Sequence, residues 1–286
     1  TAVATGDYHT LFITTGGCLW TMGDNYDGQL GDGTNIDRHS PTPVPGHSTG
    51  VTQVAAGDYF SLFIKSDGSL WVVGDNYDGQ LGDGTTNDRN VPYKLINSGV
   101  TAVAAGDNHS MYLTTGGALW VMGDNSDGQL GDGQILDYPY DRLTPYQIVA
   151  SGVIAIDGGD THSLFVKSGE SLWAMGNNDY GQLGDGTDDD RNTPVMIVSS
   201  GVTAVSAAEH HSLFRKSDGT LWAMGDNYYG QLGDGTTDER LSPVQVPNVK
   251  ASQISAGYEH SLFVGTASNA QPGAALPARN LLLLSD

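Results

Sequence analysis

Large apolar residues along this chain alternate with small or polar ones over stretches of five or six positions, and nowhere keep the 3.6-residue spacing of an amphipathic helix. In Val51-Thr52-Gln53-Val54-Ala55-Ala56 large and small side chains alternate, and Gly57-Asp58-Tyr59-Phe60 then turns the chain. A second apolar segment, 61–65, ends at the polar turn Ser66-Asp67-Gly68, and 69–74 returns antiparallel. The Gly-rich stretch 75–85 reads as a structured loop. One more short strand follows over 91–96, where Pro92 suits an edge or a strand start. The pattern predicts four short strands and no helix.

This unit is repeated. The phrase Leu-Trp-x-Met-Gly-Asp-Asn-x-x-Gly-Gln-Leu-Gly-Asp-Gly recurs with small changes from Leu19, Leu70, Leu119, Leu172 and Leu221. Trp20, Trp71, Trp120, Trp173 and Trp222 share one slot in it, spaced about fifty residues apart. A four-stranded unit cannot bury its own apolar faces, so radial stacking into a β-propeller of four-stranded blades is expected. The tryptophans are expected to form an inter-blade packing layer rather than a ligand cage; truncating a buried one to Ala would cost about 3–5 kcal/mol.

A second phrase, Gly-x-x-His-Ser-Leu-Phe, occurs six times, with His9, Phe60, His109, His162, His211 and His260 in the histidine slot. The sixth copy runs into a Gly/Ala/Pro-rich stretch, and the chain ends Leu281-Leu282-Leu283-Leu284-Ser285-Asp286. With Leu282 in the tryptophan slot, that ending reads as a degenerate return strand after an enlarged hairpin loop. The expectation is an all-β propeller of six blades, or seven if the chain is a fragment. Its repeat body would span 1–264, and 265–286 would supply a loop and a closing strand.

The Leu-Trp phrase, followed by Pro-x-x-Val and Val-x-x-Val-Ala-Ala-Gly-x-x-His-Ser-Leu, closely resembles the repeat of the regulator of chromosome condensation (RCC1-type) family over roughly residues 1–264. The resemblance implies a propeller with about fifty residues per blade. Its members include an exchange factor for a small GTPase, plant ultraviolet photoreceptors, modules of ubiquitin ligases and a secreted bacterial β-lactamase inhibitor. One fold with unrelated jobs obliges function to be argued from sites. The photoreceptor pattern puts tryptophan just before the histidine. Here those slots hold Asp7-Tyr8, Asp58-Tyr59, Asp107-Asn108, Asp160-Thr161, Glu209-His210 and Tyr258-Glu259, so light sensing is not expected. The chain also lacks a basic tail, and 134–146 is a modest expansion rather than a long wedge for a GTPase.

Charge narrows the partners. Thirty-three acidic against 12 basic residues leave a net charge of −21, which opposes binding to nucleic acid or to an anionic membrane surface. No apolar run approaches the ~20 residues of a spanning helix. The single Cys18 rules out an internal disulfide, and in its turn it reads as a tolerated small residue beside Ser69, Ala118, Ser171 and Thr220 of the other units. A start at Thr1 without a signal-like segment fits a processed mature protein or an excised domain. A pI near 4.3 favours an extracellular or cell-surface location.

Three sets of residues could carry chemistry. Equivalent histidines around an axis could hold a metal; beside a Gly turn they are better read as hydrogen-bonding groups, since Phe60 takes the same slot. The oxygen-rich loops with Asp24, Asp27, Asp32 and with Asp75, Asp78, Asp83 leave calcium open as a cofactor, although Tyr26 and Tyr77 interrupt the ligand ladder of an EF-hand. Pairs such as Asp32 with Arg38 and Asp83 with Arg89 offer a purely structural reading of the same loops. Finally, Tyr26, Tyr77, Tyr180, Tyr228 and Tyr229, together with Asp27, Asp78 and Asp127, would suit a cationic protein or a glycan, or would merely cover blade edges. No nucleophile–base pair or phosphate-cradling loop breaks the repeat, so no enzyme is expected. The leading expectation is a non-enzymatic extracellular or surface binding module. The alternatives are a regulator of a small GTPase resembling an exchange factor and a subunit that self-assembles through Leu281–Leu284.

Overall fold

Each hairpin forms where the alternation places it. A computed structural model describes residues 2–134, 141–267 and 281–284, in which strands make five sheets and no residue is helical. The chain divides into two compact units, Thr1–Ser126 with Ile135–Ile156 and Asp127–Gln134 with Asp157–Asp286.

The first unit carries three antiparallel sheets. Their strands are Ala2–Thr5, His9–Ile13, Leu19–Gly23 and Arg38–Pro43; then Val51–Ala56, Phe60–Lys65, Leu70–Gly74 and Arg89–Ile96; then Val100–Ala105, His109–Thr114, Leu119–Gly123 and Arg142–Val149. The Ser66-Asp67-Gly68 turn works as its sequence implies. Asp67 Oδ1 accepts from the Ser69 amide at 2.9 Å, and the Lys65 amide closes on the Ser69 carbonyl at 3.0 Å. At the far end of the third strand Gly74 has φ +112°, and a Cβ there would lie 2.4 Å from the Tyr59 carbonyl. Only glycine lets the chain leave the sheet at that point.

The core lies between neighbouring sheets. Leu11, Leu19 and Val51 pack with Phe63, and Leu62, Leu70 and Leu81 pack with Tyr112 and Met122, all nearly or fully buried. The tryptophans stand at the rim of this core. Each is half-buried and stacks across its own hairpin, as Phe63 does on Trp71 with ring centres 6.1 Å apart. The packing layer is therefore leucine and phenylalanine, with the indoles as its cover. Their truncation removes part of a stack rather than a core filler.

The turn slot that holds Cys18 also acquires a role. Trp71, Trp173 and Trp222 donate their indole N–H to Ser69, Ser171 and Thr220 at 2.9, 3.0 and 3.1 Å. With Ala118 in that slot, Trp120 Nε1 is buried with no partner among the described residues.

A fourth sheet has strands Val153–Gly158, His162–Lys167, Leu172–Gly176 and Arg191–Val198. The second unit also holds the fifth sheet. It runs Val202–Ala207, His211–Lys216, Thr220–Gly225, Arg240–Gly257, His260–Ala267 and Leu281–Leu284. The sixth repeat copy does not make a blade of its own, so the count is five sheets and not six or seven. Arg240–Gly257 is one uninterrupted strand, bonded first to Thr220–Gly225 and then to His260–Ala267. The Ser-Gly pairs at 98–99, 151–152 and 200–201 that part successive sheets have no counterpart at 247–250. The closing strand differs from expectation as well. Leu281–Leu284 pairs parallel to His260–Ala267, with Leu282 opposite Leu262. A parallel pair needs a crossover of about a dozen residues. The enlarged hairpin loop expected in the sixth copy falls on residues 268–280, which lie outside the described residues.

Candidate partner-binding site

The repeated loop phrase folds back on buried amides. Asn25, fully buried, donates from Nδ2 to the Thr34 and Ile36 carbonyls at 3.0 and 3.2 Å and accepts the Leu30 amide at 2.9 Å. Gln29 donates to Asp24 Oδ2 at 2.6 Å and accepts the Asp27 amide at 3.1 Å. Asn76 and Gln80 repeat these bonds in the next loop, and Asn178 and Gln182 repeat them in the second unit. Gly28, at φ +86°, lets the first loop lie against the second sheet, where a Cβ would sit 2.5 Å from Asn90 Cα. This inner layer holds the loop, and the tyrosines are left outside. Tyr26, Tyr77 and Tyr228 are 79, 69 and 74% exposed.

The carboxylates of one loop fall into two classes. Asp32 accepts the Thr34 amide and hydroxyl at 2.9 and 2.7 Å and Arg38 Nε at 2.6 Å. Burial works against its charge, but the bonds from Thr34 and Arg38 outweigh burial and hold the carboxyl below the usual range. Asp83 with Arg89, Asp185 with Arg191 and Asp234 with Arg240 do the same. Asp27 is the opposite case: burial, then Asp75, Asp88 and Asp24, push it up to about 6. Asp78 also rises to about 6, through burial and then Asp141, Asp124 and Asp75. On the neighbouring turns Asp58 reaches about 7, through burial and the carboxylates of Asp107 and Asp7. Tyr8 and Tyr59 stack beside it at 5.3 Å. The first unit thus shows a surface of crowded acids and tyrosines, including Tyr26, Tyr77, Asp27 and Asp78 on adjacent loops.

In the second unit Tyr180, Tyr228 and Tyr229 line one cleft of about 590 Å³. Tyr180 lies on His210, rings 4.5 Å apart and nearly parallel, while Tyr228 and Tyr229 meet edge to face at 4.9 Å. Tyr258 completes the aromatic wall, and Glu209, Asp226, Glu239 and Glu259 line the same space. Asp127 lies elsewhere in this unit and receives Asn177 Nδ2 at 3.3 Å. In the sequence, Glu209-His210 and Tyr258-Glu259 stand out only as slots without tryptophan. Their signal was available: these two copies replace the Gly-Asp of the earlier turns by Ala208-Glu209 and Gly257-Tyr258.

The histidines serve the frame. His9 Nε2 lies 2.8 Å from Ser61 Oγ, which donates to the Gln29 carbonyl at 2.9 Å. His162 with Ser212 and His211 with Ser261 repeat the contact at 2.8 and 3.0 Å. Burial drives His9, His109 and His211 down to about 4, so the rings are neutral at neutral pH. Asp24 and Asp75 are bonded to Gln29 and Gln80, and Asp32 and Asp83 to arginines. Among the described residues no three His, Cys, Asp or Glu side chains group so as to hold a metal ion.

With this geometry in view, known proteins fall into place around the chain. The model of the RCC1-like domain family matches residues 1–271. The chain is 34% identical over 95 residues to an RCC1 domain-containing protein of Arabidopsis thaliana, RUG3, described as mitochondrial, covering 33% of this chain and 21% of that protein. It is 38% identical over 96 residues to the X-linked retinitis pigmentosa GTPase regulator homolog of Caenorhabditis elegans, covering 33% of this chain and 7% of that one. The chain thus spans well under half the length of these relatives. Among solved structures, Prp20p of Saccharomyces cerevisiae superposes with a TM-score of 0.80 at 23% identity, over 92% of this chain and 69% of that one. That likeness shows the β-propeller fold. That RUG3 is described as mitochondrial points away from an extracellular location, and the expectation drawn from the acidic pI is withdrawn. An acidic composition reports the sign of the surface, not the compartment. By its repeats, its four-stranded sheets and a family match over nearly its whole length, the chain belongs to the RCC1-like domain family.

Proposed function

We infer that this chain is a non-enzymatic, protein-binding regulator that meets a cationic surface of its partner with its acidic, tyrosine-bearing loops. The observation behind this reading is the contrast between carboxylates that have their own arginine, such as Asp83, and carboxylates part-buried among other acids, such as Asp78. Exposed tyrosines beside the second class supply contact area with a polar tip. A partner with positive potential is drawn to such a face and held in register by it. A small GTPase is the partner class that the relatives favour. One relative is a GTPase regulator homolog, and the structure of Prp20p is described with its binding to Gsp1p and histones. Glycan recognition and self-assembly have no observation behind them.

The test is to load a panel of small GTPases with fluorescent GDP and measure both its release and direct binding by calorimetry, at low and high salt. Binding should weaken with salt, and should drop about tenfold with Tyr77→Ala combined with Asp78→Asn. Accelerated release would make the regulator an exchange factor. Binding indifferent to salt and to both substitutions would refute the role given to the loops.

A further inference from the structure

The cleft of the second unit has a composition that the rest of the molecule explains. Elsewhere arginine or lysine covers several of the chain's aromatic rings. Arg89 donates Nε to Asp83 at 2.5 Å while its guanidinium lies 4.2 Å from the centre of the Tyr93 ring. Arg142 sits over Tyr146 in the same way at 4.4 Å. Lys216 covers Trp222 at 4.5 Å. In the cleft the aromatic rings and the carboxylates are present, and no Lys or Arg lines it. Glu209 takes a hydrogen bond from the Tyr258 hydroxyl and lies 3.3 Å from His210 Nε2. Glu239 and Glu259 meet no cation among the described residues. Burial, and then the carboxylates of Asp226 and Asp188, raise the Glu239 carboxyl above its usual range.

We propose that this cleft binds an arginine side chain presented by a basic segment of the partner protein, its guanidinium stacked on the tyrosines and bonded to Glu239 and Glu259. Three features favour guanidinium over ammonium. It is planar and can stack on a tyrosine face such as that of Tyr228, which is 74% exposed. Its five N–H donors can serve several carboxylates at once, where an ammonium is a single point charge. It is also the more weakly hydrated cation and loses less on leaving water. A space of about 590 Å³ lies within the range of side-chain and small-ligand pockets and leaves room for the backbone that carries the arginine. The proposal rests on the protein-binding reading above and assigns one contact within it.

A capped peptide bearing two arginines, with its lysine and citrulline counterparts, tests the assignment by calorimetry on the full chain. The arginine peptide should bind, the lysine peptide several-fold more weakly, and the neutral citrulline peptide not measurably. Tyr228→Ala with Glu239→Gln should weaken the arginine peptide about tenfold or more, while Tyr77→Ala in the other unit leaves it unchanged. All three side chains altered in these variants are surface groups outside the core, and unchanged thermal melts would confirm intact folding. Equal binding of arginine and citrulline peptides, or indifference to the double substitution, would overturn the proposal. Its failure is separable from that of the wider reading. A GTPase that still binds in a salt-dependent, Tyr77-dependent way would keep the protein-binding role and remove the cleft from it.

Discussion

Asp27 and Asp32 sit in one loop and behave as opposites. Asp32 is enclosed by Thr34 and Arg38 and is held charged, whereas Asp27 is pushed toward neutrality by burial and then by other acids. The same division separates Asp83 from Asp78 in the next loop. In both loops the carboxylate with its own arginine and donors is the one held charged. One left without them costs stability and points to a partner outside the chain.

The largest effect should come from breaking the first class. Asp83→Ala leaves Arg89 and the Thr85 amide and hydroxyl without their acceptor, and should destabilise by about 3 kcal/mol in urea denaturation. Its contribution is present above the ordinary carboxylate pKa and is lost as pH falls through the depressed folded value. The gap between Asp83→Ala and the parent should therefore close in strong acid. A loss below about 0.5 kcal/mol at neutral pH, the level of an ordinary surface change, would erase the distinction between the two classes.

A mid-sized effect belongs to the buried imidazoles. Their folded pKa is lowered to about 4 from 6.5, so neutral histidine stabilises above pH 6.5 and that contribution drains away as pH falls toward 4. Phe60 fills the equivalent slot in the second sheet, which makes His9→Phe a tolerable replacement. It should cost about 1 kcal/mol at pH 7.5, through the lost bond to Ser61, and become the more stable form by about 1–2 kcal/mol near pH 4.5. Melts at the two pH values decide it, and parallel losses in parent and variant would contradict the burial argument.

The smallest effect should come from the second class. Asp78→Asn removes the cost of burying a charge and the repulsion from Asp141 and Asp124, so it should stabilise slightly at pH 7.5, by less than about 1 kcal/mol after solvent screening. Because the raised folded pKa is about 6, the native side chain is itself neutral near pH 4, and the gain should vanish there. Destabilisation at pH 7.5 would return Asp78 to the structural class.

The hairpins and the Asp32–Arg38 pairing could be read from the chain because each depends on residues within about a dozen positions of one another. The tyrosines of the loops were legible as exposed groups for the same reason. The cleft was not. Tyr180 reaches His210, and Glu209 reaches Tyr258, only through the packing of separate turns and loops. Position within a repeat says nothing about such pairs. The Ser and Thr partners of the indoles lay two residues away in sequence, yet without side-chain directions their slot read as a mere preference for small residues.

Taken alone, the order of residues determined strands, turns, a unit of four strands and a family, since period-two alternation and glycine at left-handed positions act locally and recur in every copy. Tertiary packing decided how many sheets form and which acids stand unneutralised. A terminal strand can pair on either side and in either direction until its neighbours are in place. A carboxylate's charge likewise depends on groups that only the folded chain brings within a few ångströms.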